Sequence, residues 1–171
     1  EVNYQILNLN GSEQEILYIS NDHGTLEIMH NLDREHQEIY NFLIIASDKG
    51  SPPLSTYTYL TMTVFDINDN APVIESQNQH CTLIEEAAET QFVSQVVAWD
   101  FDSSFTQNLY YSIIDGNVKN TFEINPSSGL IRVANPKKIF TKSLYNLNIS
   151  VSDGVFTTYT SLSISITPLN R

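Results

Sequence analysis

A single cysteine, Cys81, stands in 171 residues. One thiol forms no internal disulfide, so the fold is not stapled by bridges. Basic residues are scarce: eight Lys and Arg face twenty Asp and Glu, for a formal net charge of −12. Binding a phosphate backbone needs a basic face, so this balance excludes nucleic acid and favours cations. No stretch approaches 18 apolar residues and no signal-peptide pattern opens the chain. The expectation is a soluble piece whose export signal and membrane anchor lie outside it.

What is present is core-forming and strand-forming. Hydrophobic residues make up 41% of the chain, too many for a disordered acidic tail. Ile, Val, Thr and aromatics occur in short alternating runs bounded by turn chemistry such as SNDHG, DKGSPP and NPSSG, which predicts an all-β fold. The sequons Asn10-Gly11-Ser12 and Asn148-Ile149-Ser150 are compatible with secretion.

The chain repeats itself. YNFLIIASD (40–48) lies over YNLNISVSD (145–153) without a gap, an offset of about 105 residues. At the same offset Leu17 falls on Phe122, Ile19 on Ile124 and Gly24 on Gly129, while Tyr4-x-Ile6 and Tyr111-x-Ile113 match at nearly that spacing. A period near 105 fits a seven-stranded immunoglobulin-like sandwich, usually about 100 residues. The second copy has room for two strands before Tyr111. The first has three residues before Tyr4, and it is expected to lack its opening two strands and to be open on both sheets. In the strand from Tyr145, Leu147, Ile149 and Val151 are expected to point inward, which turns Asn148 toward solvent and a glycan.

Between the copies lies VFDINDNAPV (64–73), where strand alternation gives way to Asp66, Asn68, Asp69 and Asn70 and then to Pro72. Oxygen ligands at this density suit a hard cation, since calcium takes six to eight oxygens; the absence of His and Cys disfavours zinc. Asp33 and Glu35, Asp100 and Asp102, and Asp153 fall at strand ends of the two copies. Seven carboxylates would then share one junction. Two like charges about 4 Å apart cost roughly 4 kcal/mol at an effective dielectric near 20, so such a junction calls for divalent ions. Taken alone, DINDNAP also reads as a polar loop closed by proline.

Five motifs, LDRE (32–35), ASDKGSPPLS (46–55), DINDNAP (66–72), LIEEA (83–87) and AWDFD (98–102), appear in order and at consistent spacing. With them the chain resembles the extracellular repeats of cadherins across nearly its whole length. The resemblance implies tandem Greek-key sandwiches, a first repeat ending with its linker at 66–72 (1–70) and a second at 71–171, with up to three Ca²⁺ at their junction. It implies Asp33, Glu35, Asp66, Asp69 and the Ile67 carbonyl for the two ions nearer the first copy. It implies Asn68, the Asn70 carbonyl, Asp100, Asp102 and Asp153 for the third. Ser104 and Thr106 replace the Gly and Asn of the family's pattern, with a Thr106 carbonyl expected to serve. A further Glu ligand belongs to the missing segment.

At the far end of the second copy, Asp33 maps to Lys138, Glu35 to Phe140, Asp66 to Pro168 and Asp69 to Arg171. Glu85 alone resembles a ligand there, so no calcium, or one bound weakly, is expected. In this the chain resembles Fat-like or protocadherin-related members more than the five-repeat kind. The implied function is calcium-dependent cell–cell adhesion by an extracellular rod anchored in the plasma membrane, its partner another cadherin-family ectodomain on the same or an opposing cell. The competing reading is a calcium-independent immunoglobulin- or fibronectin-like module. An enzyme is not expected: in SDKG (47–50) and SDGV (152–155) Ser precedes Asp, unlike an aspartic-protease triplet, and the four His are scattered. No small-molecule substrate follows. Cys81, alternating with Leu83, reads as a small buried hydrophobe, and Asp48 as a solvated acid.

Overall fold

The structure, a computed structural model, describes residues 2–11, 16–21, 23–75, 77–102 and 108–168. It comprises two compact units, Glu1–Asp66 and Ile67–Arg171.

In the first unit, β1 (Val2–Asn8), β4 (Ile39–Asp48) and β5 (Ser55–Thr63) form an antiparallel sheet with β4 central, and β2 (Leu17–Ile19) pairs with β3 (Leu26–Ile28). Alternation on β4 sends Tyr40 and Phe42 inward, where they meet Ile16 and Leu17, with Ile6, Leu60, Met62 and Val64 packed alongside. Among the described residues neither β3 nor the outer edge of β5 has a second neighbour.

The second unit contains β6 (Val73–Ile74), β7 (Gln79–Ile84), β8 (Phe92–Gln95), β9 (Ala98–Trp99), β10 (Tyr110–Asp115), β11 (Phe122–Ile124), β12 (Leu130–Val133), β13 (Leu144–Ser152) and β14 (Thr157–Thr167). Seven of these make the expected sandwich, one sheet ordered β10-β13-β14-β7 and the other β11-β12-β8. The remaining pair is a two-residue ladder in which Val73 faces Trp99 and Ile74 faces Ala98. The chain leaves that ladder, turns at Asn78 (φ 52°) and joins β14 in parallel as β7. Its segment before Tyr111 therefore holds four short strands where two were expected. Between the sheets Phe122, Ile131, Val133, Tyr145, Leu147, Ile149, Val151, Leu162 and Ile164 are buried, each aliphatic side chain contributing roughly 1.5–3 kcal/mol. Cys81 is half-buried against this core, and burial raises its thiol pKa.

Strand registers confirm the internal repeat. Tyr4 pairs with Ala46 as Tyr111 pairs with Val151, and Phe42 with Leu60 as Leu147 with Leu162. The second pairing shows that the β13–β14 turn is three residues shorter than the β4–β5 turn. Gly24 and Gly129 are equivalent in detail. Each has a positive φ (66° and 67°), each donates its N–H to a carbonyl four residues back at 3.0 Å, and each lies against a tyrosine ring, Tyr4 or Tyr111.

Candidate metal centre

Each unit has its own acidic group. In the first, Asp33 closes the turn before β4, its Oδ1 accepting the N–H groups of Glu35 (3.0 Å) and His36 (3.2 Å). Arg34 forms ion pairs with both Glu35 and Asp66, the latter just past β5. The guanidinium fork meets two carboxylates from separate segments, a geometry suited to Arg. The sequence reading gave Arg34 no role, although one cation between two acids in LDRE was the available signal.

The second unit opens on Ile67, Asn68, Asp69 and Asn70. Ile67 and Asp69 are exposed, Asn68 and Asn70 half-buried. Asn70 donates its backbone N–H to Asp102 Oδ2 (2.9 Å) and its side-chain amide to Asp102 Oδ1 (2.8 Å) and Asp69 Oδ1 (2.9 Å). Asp102 in turn donates its N–H to Asp100 Oδ1 at 3.1 Å. Asp100, Asp102 and Asp153 are all buried. Asp153 divides its labour: Oδ1 accepts from the N–H groups of Val155 and Phe156, both at 2.7 Å, and closes the β13–β14 turn. Its Oδ2 is buried with no hydrogen-bond partner among the described residues, and the same holds for both polar side-chain atoms of Asn68.

Burial raises the Asp100 carboxyl above the ordinary carboxylate range, and the charges of Asp102 and Asp153 push it the same way, opposed by the Asp102 N–H. A buried carboxylate oxygen without a donor is costly unless something positive meets it. Three buried acids, an amide oxygen and no nitrogen or sulfur ligand form a hard-oxygen set that fits calcium. Thr106 lies outside the described residues, as do Ser12 and Arg171.

Asp48 is more than a solvated acid. Its Oδ1 accepts from Gly50 (3.0 Å) and Leu54 (2.8 Å), closing the β4–β5 turn as Asp153 closes its counterpart, and these bonds lower its pKa. At the far end of the second unit the 3₁₀ segment Pro136–Thr141 occupies the place of the LDRE turn. Ile139, equivalent to Arg34, is fully buried there, and the Tyr145 hydroxyl donates to the Lys138 carbonyl at 2.8 Å. Phe140 is exposed. Of the two sequons, Asn148 points outward on β13. The Asn10 side chain joins the end of β1 to β4, accepting from Asn41 N–H (2.6 Å) and donating to the Ile39 carbonyl (3.3 Å).

The cadherin-domain family model matches residues 1–65 and 79–167. The chain belongs to the cadherin family. Human Protocadherin Fat 1 is 33% identical over 165 residues, which is 96% of this chain and 4% of that protein. The Fat-like cadherin-related tumor suppressor homolog of Drosophila melanogaster is 37% identical over 171 residues, again 4% of its length. Human Protocadherin-1 is 39% identical over 137 residues, 79% of this chain and 13% of that protein. Among solved structures, the protocadherin gammaB7 EC3-6 cis-dimer matches with a TM-score of 0.85 and 26% identity, covering 98% of this chain and 42% of that one. Mouse cadherin-23 EC22-24 matches with a TM-score of 0.84 and 25% identity over 97% of this chain and 54% of that one. The two cadherin repeats thus span a small fraction of the curated relatives. Those relatives are Fat and protocadherin membrane proteins with extracellular ectodomains; no helix among the described residues here is long and apolar enough to cross a membrane. Cadherin repeats are adhesion modules, not enzymes.

Proposed function

We propose that these repeats are a calcium-stiffened segment of an extracellular, membrane-anchored adhesion rod, with up to three Ca²⁺ bound around the linker at 66–72. Asp33, Glu35, Asp66, Asp69 and the Ile67 carbonyl would hold two ions. Asn68, the Asn70 carbonyl, Asp100, Asp102, Asp153 and the Thr106 carbonyl would hold the third. The observation that supports this reading best is Asp153, whose one oxygen closes a turn while the other is buried with no hydrogen-bond donor among the described residues. Bound calcium supplies the positive charge that this oxygen and its neighbours require; the protein's part is to hold the carboxylates in place before the ion arrives. Extracellular modules of this kind bind at roughly 10⁻⁴–10⁻³ M, matched to an external pool.

The first repeat (1–70) is proposed to be completed by two strands from polypeptide beyond the described residues. Support comes from the second repeat (71–171), where β7 and β8 occupy the positions left open beside β5 and β3. After the second repeat we propose no calcium, or one weakly bound, because Lys138, Ile139, Phe140 and Pro168 stand where Asp33, Arg34, Glu35 and Asp66 stand in the first. Asn148 and Asn10 are proposed glycan sites, Asn148 the more open. A mass shift on deglycosylation tests them. The partner is another cadherin-family ectodomain, on the same or an opposing cell.

Thermal melting with calcium and with a chelator tests the central claim. Calcium should raise the melting temperature and protect the linker from trypsin, and Asp69→Ala should weaken that protection. Indifference to the chelator would return the chain to a calcium-independent module.

A further inference from the structure

Alternation on the β1-β4-β5 sheet sends Tyr40 and Phe42 to the core and Leu43 and Ile45 to the opposite, outer face. Cross-strand register places Leu7 beside Leu43 and Leu43 beside Tyr59; the next row is Gln5, Ile45 and Tyr57. Leu7, Tyr57 and Tyr59 are 49%, 67% and 70% exposed, while Leu43 and Ile45 are half-buried between the flanking columns. An outer sheet face normally alternates to polar residues. The second repeat does so in part: Ser112 stands for Gln5, Asn148 for Leu43, Ser150 for Ile45 and Ser161 for Tyr59, while Tyr159, 60% exposed, keeps the place of Tyr57. The fold therefore does not require Leu43, Ile45 or Tyr59 to be apolar. The first repeat has an apolar face for another reason.

Charge selects the occupant. No outward residue of β1, β4 or β5 is charged, in a chain with twenty acids and eight bases. An anionic membrane is repelled by the −12 charge, and a basic partner is drawn to the acidic groups instead. Two copies of the same polyanion approach each other best through a neutral face. Side-chain size favours them too: on this face β5 carries the exposed tyrosines Tyr57 and Tyr59, and β1 the smaller Gln5 and Leu7. A two-fold axis parallel to the strands, lying between the two sheets, sets the tyrosines of each β5 over the β1 of the other copy. Tyr57 and Tyr59 already hold each other edge to face, with ring centroids 6.0 Å apart, so little rotamer freedom is lost on contact.

We propose that the outer face of β1, β4 and β5, centred on Leu43, Ile45, Tyr57 and Tyr59, is a homotypic contact surface that pairs with the same face of a second copy. Three strands about 4.8 Å apart and some nine residues long present about 400 Å² of face, below the roughly 800 Å² per partner of a stable complex. The contact is therefore weak alone and gains strength where many copies are arrayed. This inference names a partner surface within the adhesive reading but needs no bound calcium, so the two fail separately.

The test is sedimentation of the whole chain, produced without glycans, from micromolar to millimolar concentration in calcium. The expected result is reversible dimerisation. Tyr59→Ser should weaken it about tenfold or more, as loss of one anchor residue does, with an unchanged melting temperature and calcium response. Leu43→Asn with Ile45→Ser, which copies Asn148 and Ser150, should abolish it. If the double variant does not fold, the strongly exposed Tyr59→Ser decides. A monomer throughout the range overturns the proposal. So does association that survives both variants, or that disappears instead with Ile28→Ser on the inner face. Loss of the calcium response in melting would count against the metal reading only.

Discussion

Asn70 grips both carboxylate oxygens of Asp102, one through its backbone N–H and one through its side-chain amide. The two bonds fix the plane of the carboxylate and leave its remaining lone pairs for another partner. Asn70→Ala keeps the backbone bond and loses the side-chain bonds to Asp102 and Asp69. Groups that orient metal ligands typically matter by about 10–100-fold in affinity, so calcium titration of Asn70→Ala should show a weakening at the lower end of that range. Asp102→Ala should remove the tightest component. At a hundredfold excess over Kd calcium should stabilise the wild-type chain by about 2.7 kcal/mol, and Asp102→Ala should lose most of that. Equal affinities in the three proteins would refute the orienting role.

The raised pKa of Asp100 has a definite sign. Its folded value exceeds the unfolded one, chiefly through burial, so the ionised group destabilises the calcium-free fold above that range. Acidification through the raised range removes the penalty. In chelator, the second repeat should gain stability as pH falls from neutral toward Asp100's range, until other carboxylates reverse the trend. With calcium the slope inverts, because protons and metal compete for the same oxygen, and the calcium-induced rise in melting temperature should shrink as pH drops. Asp100→Asn should flatten the chelated profile. Melting curves across pH, with and without calcium, read both slopes.

Much of this was legible in sequence because sheets print their burial in alternation. Tyr40 and Phe42, and Leu147, Ile149 and Val151, point inward as a period of two requires. Of the acids, Asp48 and Asp153 were legible as a repeated pair at one offset, whereas Asp33, Glu35, Asp66 and Asp69 have no acidic counterpart in the second copy and stood out only by their places at strand ends. What was hidden depends on partners distant in the chain. The switch of the strand at Asn78 is defined by its pairing first with β9 and then with β14. The ion pairs of Arg34 need Asp66, at the end of a different strand. The double duty of Asp153 appears only once the shorter turn brings Val155 and Phe156 onto Oδ1. Alternation with Phe42 and Ile44 already turns Leu43 and Ile45 outward in sequence; what was hidden is the register that sets them beside Tyr59 and Tyr57.

Gly24 and Gly129 share a conformation and differ in room. A Cβ on Gly129 would lie 2.2 Å from the Val96 carbonyl oxygen and 2.9 Å from the Tyr111 ring; on Gly24 the nearest atom is a Tyr4 ring carbon at 3.3 Å. Both substitutions by alanine meet the left-handed penalty of about 1–2 kcal/mol. Gly129→Ala adds a backbone collision that no rotamer relieves, and should cost about 3 kcal/mol or more, within the tail of severe point mutants. Gly24→Ala should stay near the conformational penalty alone. Urea melts of the two variants make the comparison, and equal losses would show that the backbone at Val96, just past β8, yields.

Leu26 and Ile131 are equivalent positions with opposite environments: Leu26 is 39% exposed, Ile131 fully buried. The difference follows from β8, which pairs with β12 in the second repeat and has no counterpart beside β3 among the described residues. Truncating a buried Ile to Ala typically costs about 2–5 kcal/mol through lost transfer energy and a residual cavity. Ile131→Ala should therefore shift the unfolding of the second repeat by that amount, and the sole tryptophan, Trp99, lies in that repeat and reports it by fluorescence. Leu26→Ala should leave the Trp99 transition in place and change the other transition, followed by circular dichroism, by less than about 1 kcal/mol, since a site open to solvent has little cavity to create. The contrast closes when the inner face is covered. In a longer ectodomain that supplies the two strands proposed to complete the first repeat, the Leu26→Ala penalty should rise toward that of Ile131→Ala. If it stays small there, the strands proposed to cover β3 do not reach it.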